Sequence, residues 1–446
     1  MITVVGMDGS PLSPRAEAAL RSATLVVGGR RHLAALPALA AARGAGARTV
    51  ALGELAPALD ALACHEGDAV VLASGDPGFY GIVRALRERG LAAVVLPAVS
   101  SVALAFARAG LPWDDAIVVS AHGRDLRPAI NVCRAHPKVA VLTGPGAGPA
   151  EIAAALAGWD RRLVVCEQLG SGGEQVTECS PASAASHTWT DPNVVLVLAD
   201  PPPATPSATS VSRTPAPGPG RRAWLSHPRP SRGSRITFMR DDGCAEDTAS
   251  TGSAGNPVSA GWALGEEQFD SRDAVITKAE VRALALARLA PAPGTLVWDV
   301  GAGSGSVGIE CARFGAAVIA VERDARRCDR IRANAQRHAV DVRTVQGEAP
   351  HALNGLPPPD AVFVGGGGQA VIEAVAGRHP ARIVVALAAV ERAGAALATL
   401  AAAGYAPDGV LLHAARFAPL PGDVHRLAAT NPVFLVWGTA GRGAPS

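Results

Sequence analysis

A chain of 446 residues is longer than one hydrophobic core usually serves, so two domains are expected. Apolar residues make up 48% and charged residues 18%, which excludes a wholly disordered chain, and aromatics at 4% argue against stacking platforms for single-stranded nucleic acid. The formal net charge of +2 advertises no polyanion, so no nucleic-acid partner is expected.

Residues 1–199 alternate short apolar runs with alanine-rich stretches. The runs at 2–5, 69–73, 92–96, 117–120, 139–142, 163–167 and 194–198 read as strands. Segments 15–21, 80–89, 102–109 and 150–157 read as helices, the first opened by Ser13 as N-cap and Pro14 in the first turn. This is the rhythm of an α/β domain. The start, Met1-Ile2-Thr3-Val4-Val5-Gly6, lacks the basic flank and apolar stretch of a signal peptide. The most apolar later run, 383–390, is broken at once by Glu391 and Arg392. No membrane partner and a cytoplasmic location are therefore expected. Cys64, Cys133, Cys166, Cys179, Cys244, Cys311 and Cys328 form no C-x-x-C pair, so no metal site is expected and the thiols read as packing groups in a reducing compartment.

From Pro201 to about Ala260 the periodicity stops. Residues 211–240 hold seven arginines and no acidic residue. A disordered linker over 200–260 is expected, with a basic partner-binding arm as the alternative. A second α/β rhythm follows over 261–440. It reads as helix 279–289, strand 296–299 entering a glycine loop, helix 307–313, strand 317–322 and helix 324–337. Strands 342–346, 361–364 and 383–386, helix 391–403 and late strands 410–413 and 433–437 complete it. That order predicts a doubly wound, mostly parallel, Rossmann-like sheet.

The sharpest motif is Asp299-Val300-Gly301-Ala302-Gly303-Ser304-Gly305, a strand end followed by alternating glycines, with Glu322 closing the next strand. Side chains in that loop would block a ligand approaching the backbone, and a carboxylate at Glu322 can accept both hydroxyls of a ribose. Gly303-x-Gly305-x-x-Gly308 also satisfies a dinucleotide pattern, which keeps an NAD-linked oxidoreductase open. Asp299 just before the loop favours a ligand with an ammonium-bearing amino-acid end over a pyrophosphate. The Gly301-x-Gly303-x-Gly305 form resembles the class I S-adenosylmethionine enzymes. In that family Gly347-Glu348-Ala349, after the third strand, corresponds to an adenine-contacting loop. No Asn/Asp-Pro-Pro-aromatic motif follows the fourth strand, so an exocyclic base amine is not expected as acceptor.

The first half has no such loop. It has Ser74-Gly75-Asp76-Pro77-Gly78-Phe79-Tyr80-Gly81 after a strand, a tight turn at a sheet edge with exposed backbone amides and carbonyls. With Gly28-Gly29-Arg30-Arg31-His32-Leu33, Pro97-Ala98-Val99-Ser100-Ser101-Val102, Ser120-Ala121-His122-Gly123-Arg124, Leu142-Thr143-Gly144-Pro145 and Cys166-Glu167-Gln168-Leu169-Gly170, the series resembles the tetrapyrrole methylase (class III) family in its CbiE form. The later series Ile276-Thr277-Lys278-x-Glu280-Val281-Arg282, the glycine loop, Gly347-Glu348-Ala349 and Asn431-Pro432-Val433 resembles the CbiT form of class I methyltransferase. Their fusion resembles the family of decarboxylating precorrin C5,15-methyltransferases of cobalamin synthesis.

That resemblance implies methylation of a tetrapyrrole, a precorrin, at two meso carbons, with loss of carbon dioxide from an acetate side chain. Carbon 15 and the decarboxylation would fall to the second half and carbon 5 to the first. S-adenosylmethionine is the implied cofactor. It would be held by Gly75, Asp76, Pro77, Gly78, Ser100 and Ser101 in the first half. In the second half Thr277, Asp299, Gly301, Ala302, Gly303, Ser304, Gly305, Glu322, Glu348 and Ala349 would hold it. A homo-oligomer is expected; no catalytic side chain is assigned. The alternatives are the NAD-linked oxidoreductase and a non-catalytic tetrapyrrole-binding protein. Two departures from the family pattern stand out. The turn Gly6-Met7-Asp8-Gly9-Ser10 is short, and Ala386-Leu387-Ala388 lacks an expected Asn-like polar residue. His122, His413 and His425 read as acid–base candidates or as surface groups. Arg124, Arg127, Arg416 and Arg426 read as partners for substrate carboxylates or as solvated residues.

Overall fold

In the computed structural model the described residues are 1–35, 46–53, 55–199, 261–271 and 276–440. The expected linker (200–260) and Cys244 lie outside the described residues.

The N-terminal half contains two five-stranded sheets. The first takes β1 (Ile2–Met7), β2 (Leu25–Gly28), β3 (Arg48–Ala51), β4 (Ala69–Ser74) and β5 (Ala93–Leu96) in the order β3-β2-β4-β1-β5, every pair parallel. Parallel pairing brings all five C-terminal ends to one edge, so the loops after Met7, Gly28, Ser74 and Leu96 meet there. The three inner strands β1, β2 and β4 are mostly apolar and largely buried on both faces, as helix-covered parallel strands require. The second sheet takes β6 (Ile117–Ser120), β7 (Lys138–Leu142), β8 (Arg161–Glu167), β9 (Gln175–Cys179) and β10 (Asn193–Ala199) in the order β6-β7-β10-β8-β9. Only β6 and β7 run parallel; the other pairs are antiparallel.

The C-terminal half is a seven-stranded sheet. Its members are β11 (Leu296–Val300), β12 (Ala317–Glu322), β13 (Arg343–Gln346), β14 (Ala361–Val364), β15 (Arg382–Leu387), β16 (Tyr405–Leu412) and β19 (Val433–Ala440). The order is β13-β12-β11-β14-β15-β19-β16, with β11 to β15 parallel and β16 and β19 antiparallel at one side. The connection changes direction between β11 and β14, which opens a crevice at their C-terminal ends. Strands β17 (Ala415–Leu420) and β18 (Val424–Ala429) form a separate hairpin.

The expected strands are all present, and the doubly wound reading of the second half holds for its five parallel strands. Ser13 caps the first helix as expected, accepting from the Ala16 amide at 3.3 Å, with Pro14 in the first turn. Sequence reading missed β2, β3, β9 and the β17–β18 hairpin. The helix expected over 80–89 begins only at Val83, because Tyr80 sits at φ 53° and the turn must finish first. No helix among the described residues is long and apolar enough to cross a membrane, and they contain no cluster suited to a metal ion.

Candidate functional site

At the loop edge of the first sheet the backbones touch. A Cβ on Gly6 would lie 2.2 Å from the Gly75 carbonyl oxygen, and one on Gly75, at φ 57°, would lie 3.0 Å from Ser100 Cα. The Gly75 amide donates to the Met7 carbonyl at 2.7 Å, and the Ala98 amide to the Gly75 carbonyl at 3.3 Å. The ends of β1, β4 and β5 are thereby locked together, which brings Gly75, Asp76, Pro77 and Gly78 beside Ser100 and Ser101. Asp76 folds back to accept from the Gly78 amide at 2.8 Å and so fixes the turn. Ser100 caps the helix Ser101–Ala109 by accepting from the Ala103 amide at 3.1 Å.

A cavity of about 390 Å³ opens beside this edge, lined by Gly6, Asp8, Ser10, Pro97 and Val99 among others. Asp8 accepts from the Ser10 amide at 2.9 Å and the Val99 amide at 3.2 Å. Burial works against its charge, but these hydrogen bonds outweigh it and hold the carboxyl below its ordinary range. The short turn at 6–10 has a packing reason, since a Cβ on Gly9 would fall 1.7 Å from the Gly170 carbonyl oxygen. Gly170, from the loop after β8, thus packs against the Asp8–Gly9 backbone, and neither Asp8 nor Gly170 was named as a site residue from the sequence. Tyr80 reaches across to the second sheet, donating to the Val118 carbonyl at 3.1 Å, with the Arg124 guanidinium 5.6 Å from its ring centre.

In the second half the glycine loop sits at the crevice between β11 and β14. Gly301, Gly303 and Gly305 all have positive φ (72°, 59° and 78°), and a Cβ on Gly301 would meet the Gly366 amide at 2.8 Å. Glycine is thus required both for conformation and for room. Beneath the loop Asp299 is 1% exposed; one oxygen accepts from the Gly308 amide at 2.8 Å, while Oδ1 has no partner. Burial, helped by the Glu322 charge, raises its carboxyl to about 7. Glu322, also buried, accepts from the Gly303 amide at 2.9 Å and the Asp324 amide at 3.1 Å. Those bonds aim the carboxylate and leave each oxygen a further lone pair. Ser304 Oγ is buried and without a partner too. The Gly347 amide donates to the Glu322 carbonyl at 3.0 Å, which brings Glu348 and Ala349 to the same edge; Glu348 is itself exposed, 3.6 Å from Arg323. Among the residues expected, Ala302 lies within the loop. Thr277 is tied in less directly, through its carbonyl, which accepts from Arg282 at 2.6 Å.

That arginine is the largest omission of sequence reasoning. Arg282 and Glu310 are both fully buried and paired at 2.6 Å. Glu310 also accepts from the Ala263 and Leu264 amides, and Arg282 donates to the Leu264 carbonyl and lies over the Phe269 ring. Asn334, fully buried, joins Asp270 to the Ser304 carbonyl. Together they clamp segment 261–271 and the helix Ala279–Leu289 against the glycine loop. Arg282 stands in the quoted motif, but Glu310 is 28 residues away and carries no local signal.

Two candidate substrate arginines are engaged elsewhere. Arg416 makes paired bonds of 2.7–2.9 Å to Glu266 and Glu280, and its hydrogen bonding holds the Glu266 carboxyl down to about 2. Arg127 pairs with Asp360 at 2.8 Å. His122 lies 3.2 Å from the Thr143 carbonyl.

Residues 2–185 match the family model for tetrapyrrole (corrin/porphyrin) methylases, and residues 267–437 match the precorrin methyltransferase domain. A Sinorhizobium sp. protein named precorrin-6Y C(5,15)-methyltransferase [decarboxylating] is 36% identical over 397 residues, covering 84% of this chain and 82% of that protein. The chain belongs to that family. The chain is also 34% identical over 207 residues to the cobalt-precorrin-7 C(5)-methyltransferase of Salmonella typhimurium, covering 44% of this chain and 98% of that one. A solved structure of the C-terminal domain of precorrin-6Y C5,15-methyltransferase from Rhodobacter capsulatus is 36% identical and covers 40% of this chain and 97% of its own, with a TM-score of 0.36. The chain is therefore a methyltransferase, and the oxidoreductase and non-catalytic readings are set aside. The Gly308 of the dinucleotide pattern lies inside the helix Ser306–Arg313, packed on Asp299.

Proposed function

We propose that this chain methylates a precorrin (precorrin-6B/6Y) at carbons 5 and 15 and removes carbon dioxide from the acetate at carbon 12. The carbon-15 transfer and decarboxylation belong to the second half and the carbon-5 transfer to the first. The observation that carries this reading is the presence of two loop clusters of different construction, each at the C-terminal edge of its own parallel sheet, in one chain of this family.

The residues fit S-adenosylmethionine as methyl donor. In the second half, Glu322 would hold the ribose hydroxyls and the glycine loop the amino-acid portion, with Asp299 beneath it and the Gly347–Ala349 turn near the base. In the first half, the Gly75–Gly78 turn and the Ser100 helix start would hold it beside the cavity. When bound, this cofactor supplies an electrophilic methyl group. The protein's part is to position the acceptor carbon in line with it and to exclude water. For the decarboxylation, transferring the acetate from water to an apolar pocket favours loss of neutral carbon dioxide.

Residues 200–260 are proposed as a linker. A homo-oligomer is also part of this reading, supported by the β17–β18 hairpin, where Phe417 is 81% and Leu427 65% exposed. Mass spectrometry of the tetrapyrrole after incubation with precorrin and S-adenosylmethionine tests the proposal. It expects a product with two added methyl groups and one lost carbon dioxide; an unchanged tetrapyrrole would contradict it.

A further inference from the structure

The two halves meet through a polar seam, at the edge of the seven-stranded sheet opposite its glycine loop. Asn131, fully buried on the helix Leu126–Ala135, donates across the seam to the Gly294 carbonyl at 3.0 Å and to Asp360 Oδ2 at 3.3 Å. Gly294 and Asp360 immediately precede or approach the starts of β11 and β14, and Asp360 also accepts from the Leu296 amide at 2.7 Å. Arg161, whose side chain is 1% exposed, caps the same helix by donating to the Cys133 and Arg134 carbonyls and reaches Asp341 of the second half at 2.7 Å. Trp159 is buried in an apolar cluster otherwise built from second-half residues such as Leu296 and Ile319. Its ring is approached by Arg134 from its own half and Arg343 from the other, at 5.7 and 6.0 Å.

The Asn131 side-chain NH2 finds both of its acceptors across the seam, and the buried Arg161 guanidinium finds its carboxylate there, so separation would strand or rehydrate these groups. We infer that this interface, and not the covalent connection through 201–259, holds the two methyltransferase halves together as a preassembled pair. The inference concerns association alone and stands whether or not the methylation assignments above are right. Docking at the strand starts also leaves the glycine loop, at the strand ends, clear of the first half.

The test uses the full chain with a specific protease site placed within residues 201–259, cut after purification and examined by size exclusion over a dilution series. The expected result is co-elution of both halves with no loss of circular dichroism. Asn131→Asp sets a second carboxylate against Asp360, and should weaken association at least about a hundredfold while both halves stay folded. Adding Asp360→Asn to that variant should restore co-elution, which a mere folding defect would not allow. Arg127→Glu changes an exposed side chain at the same carboxylate and should weaken association about tenfold, so the test stands even if Asn131→Asp fails to fold. Separation of the cut wild-type halves at micromolar concentration would overturn the inference. So would unchanged association in both Asn131→Asp and Arg127→Glu.

Discussion

In the first half the candidate cofactor edge is made by backbone touching backbone, Gly6 on Gly75 and Gly9 on Gly170, and Asp8 and Asp76 are occupied with amides of nearby turns. In the second half the glycine loop rests on buried charge. Asp299 and Glu322 lie directly beneath it, and the Arg282–Glu310 pair braces the segment packed over it. The first site is therefore sensitive to added volume, and the second, besides its own glycines, to removed charge. On the proposed assignment these are two ways of holding one kind of ligand, and they should fail in different ways.

The largest effect expected from this contrast is Arg282→Ala. It leaves Glu310 buried without a counter-charge, which costs about 3–5 kcal/mol. Hydrogen exchange on the whole protein should place the lost protection mainly in 261–440; equal loss across 1–199 would break the contrast. Next is Glu322→Ala, which removes the acceptor for the Gly303 amide together with the proposed ribose contacts. Calorimetric titration with S-adenosylmethionine should show weaker binding at the second half by about 1–3 kcal/mol. An unchanged isotherm would place the site elsewhere.

The halves should also respond to acid in opposite directions. Asp299, raised to about 7 by burial, binds a proton in the folded state that the unfolded chain releases near pH 4. Its contribution is present below that value and is lost as pH rises through about 7. His32, buried and beside Arg31, is pushed down to about 4, so it stays neutral in the fold where the unfolded chain charges near 6.5. Its contribution is present above that value and is lost as pH falls through about 4. Between pH 7 and 4 the second half gains from Asp299 while the first loses from His32. Asp299→Asn and His32→Gln should each flatten the pH dependence of one half's hydrogen exchange, and flattening of the wrong half would refute the assignment. The smallest effect concerns helix starts. Ser100→Ala should cost the first half about 1 kcal/mol in thermal unfolding, because Ser100 caps its helix, whereas Gly305 at the matching position of the second half makes no side-chain cap.

Much of this was legible from the residues. The alternating glycines, Asp299 and Glu322 lie within one strand–loop–helix–strand unit, so local spacing reveals them. The buried runs of β4, β7 and β12 announce themselves by composition. Strand β2 is only Leu25–Gly28, too short for a pattern, and β9, QVTEC, lies at a sheet edge with largely exposed residues. The β17 strand carries Pro419 and little apolar alternation. Arg282 with Glu310, and Asn131 with Gly294, join residues 28 and 163 positions apart; only the folded chain brings them together. For the same reason a reading from composition treats the halves as beads on a linker, while the structure packs them side to side.

The central claim is that each half performs its own transfer, and Gly75→Val tests it most directly. A valine at φ 57°, with its Cβ 3.0 Å from Ser100 Cα, should disable the first site and leave the glycine loop of the second untouched. Mass spectrometry of the tetrapyrrole made by the folded variant should find a species that has lost carbon dioxide and gained one methyl group, one methyl short of the wild-type product. A folded Gly75→Val protein that yields no modified tetrapyrrole at all would contradict the two-site account.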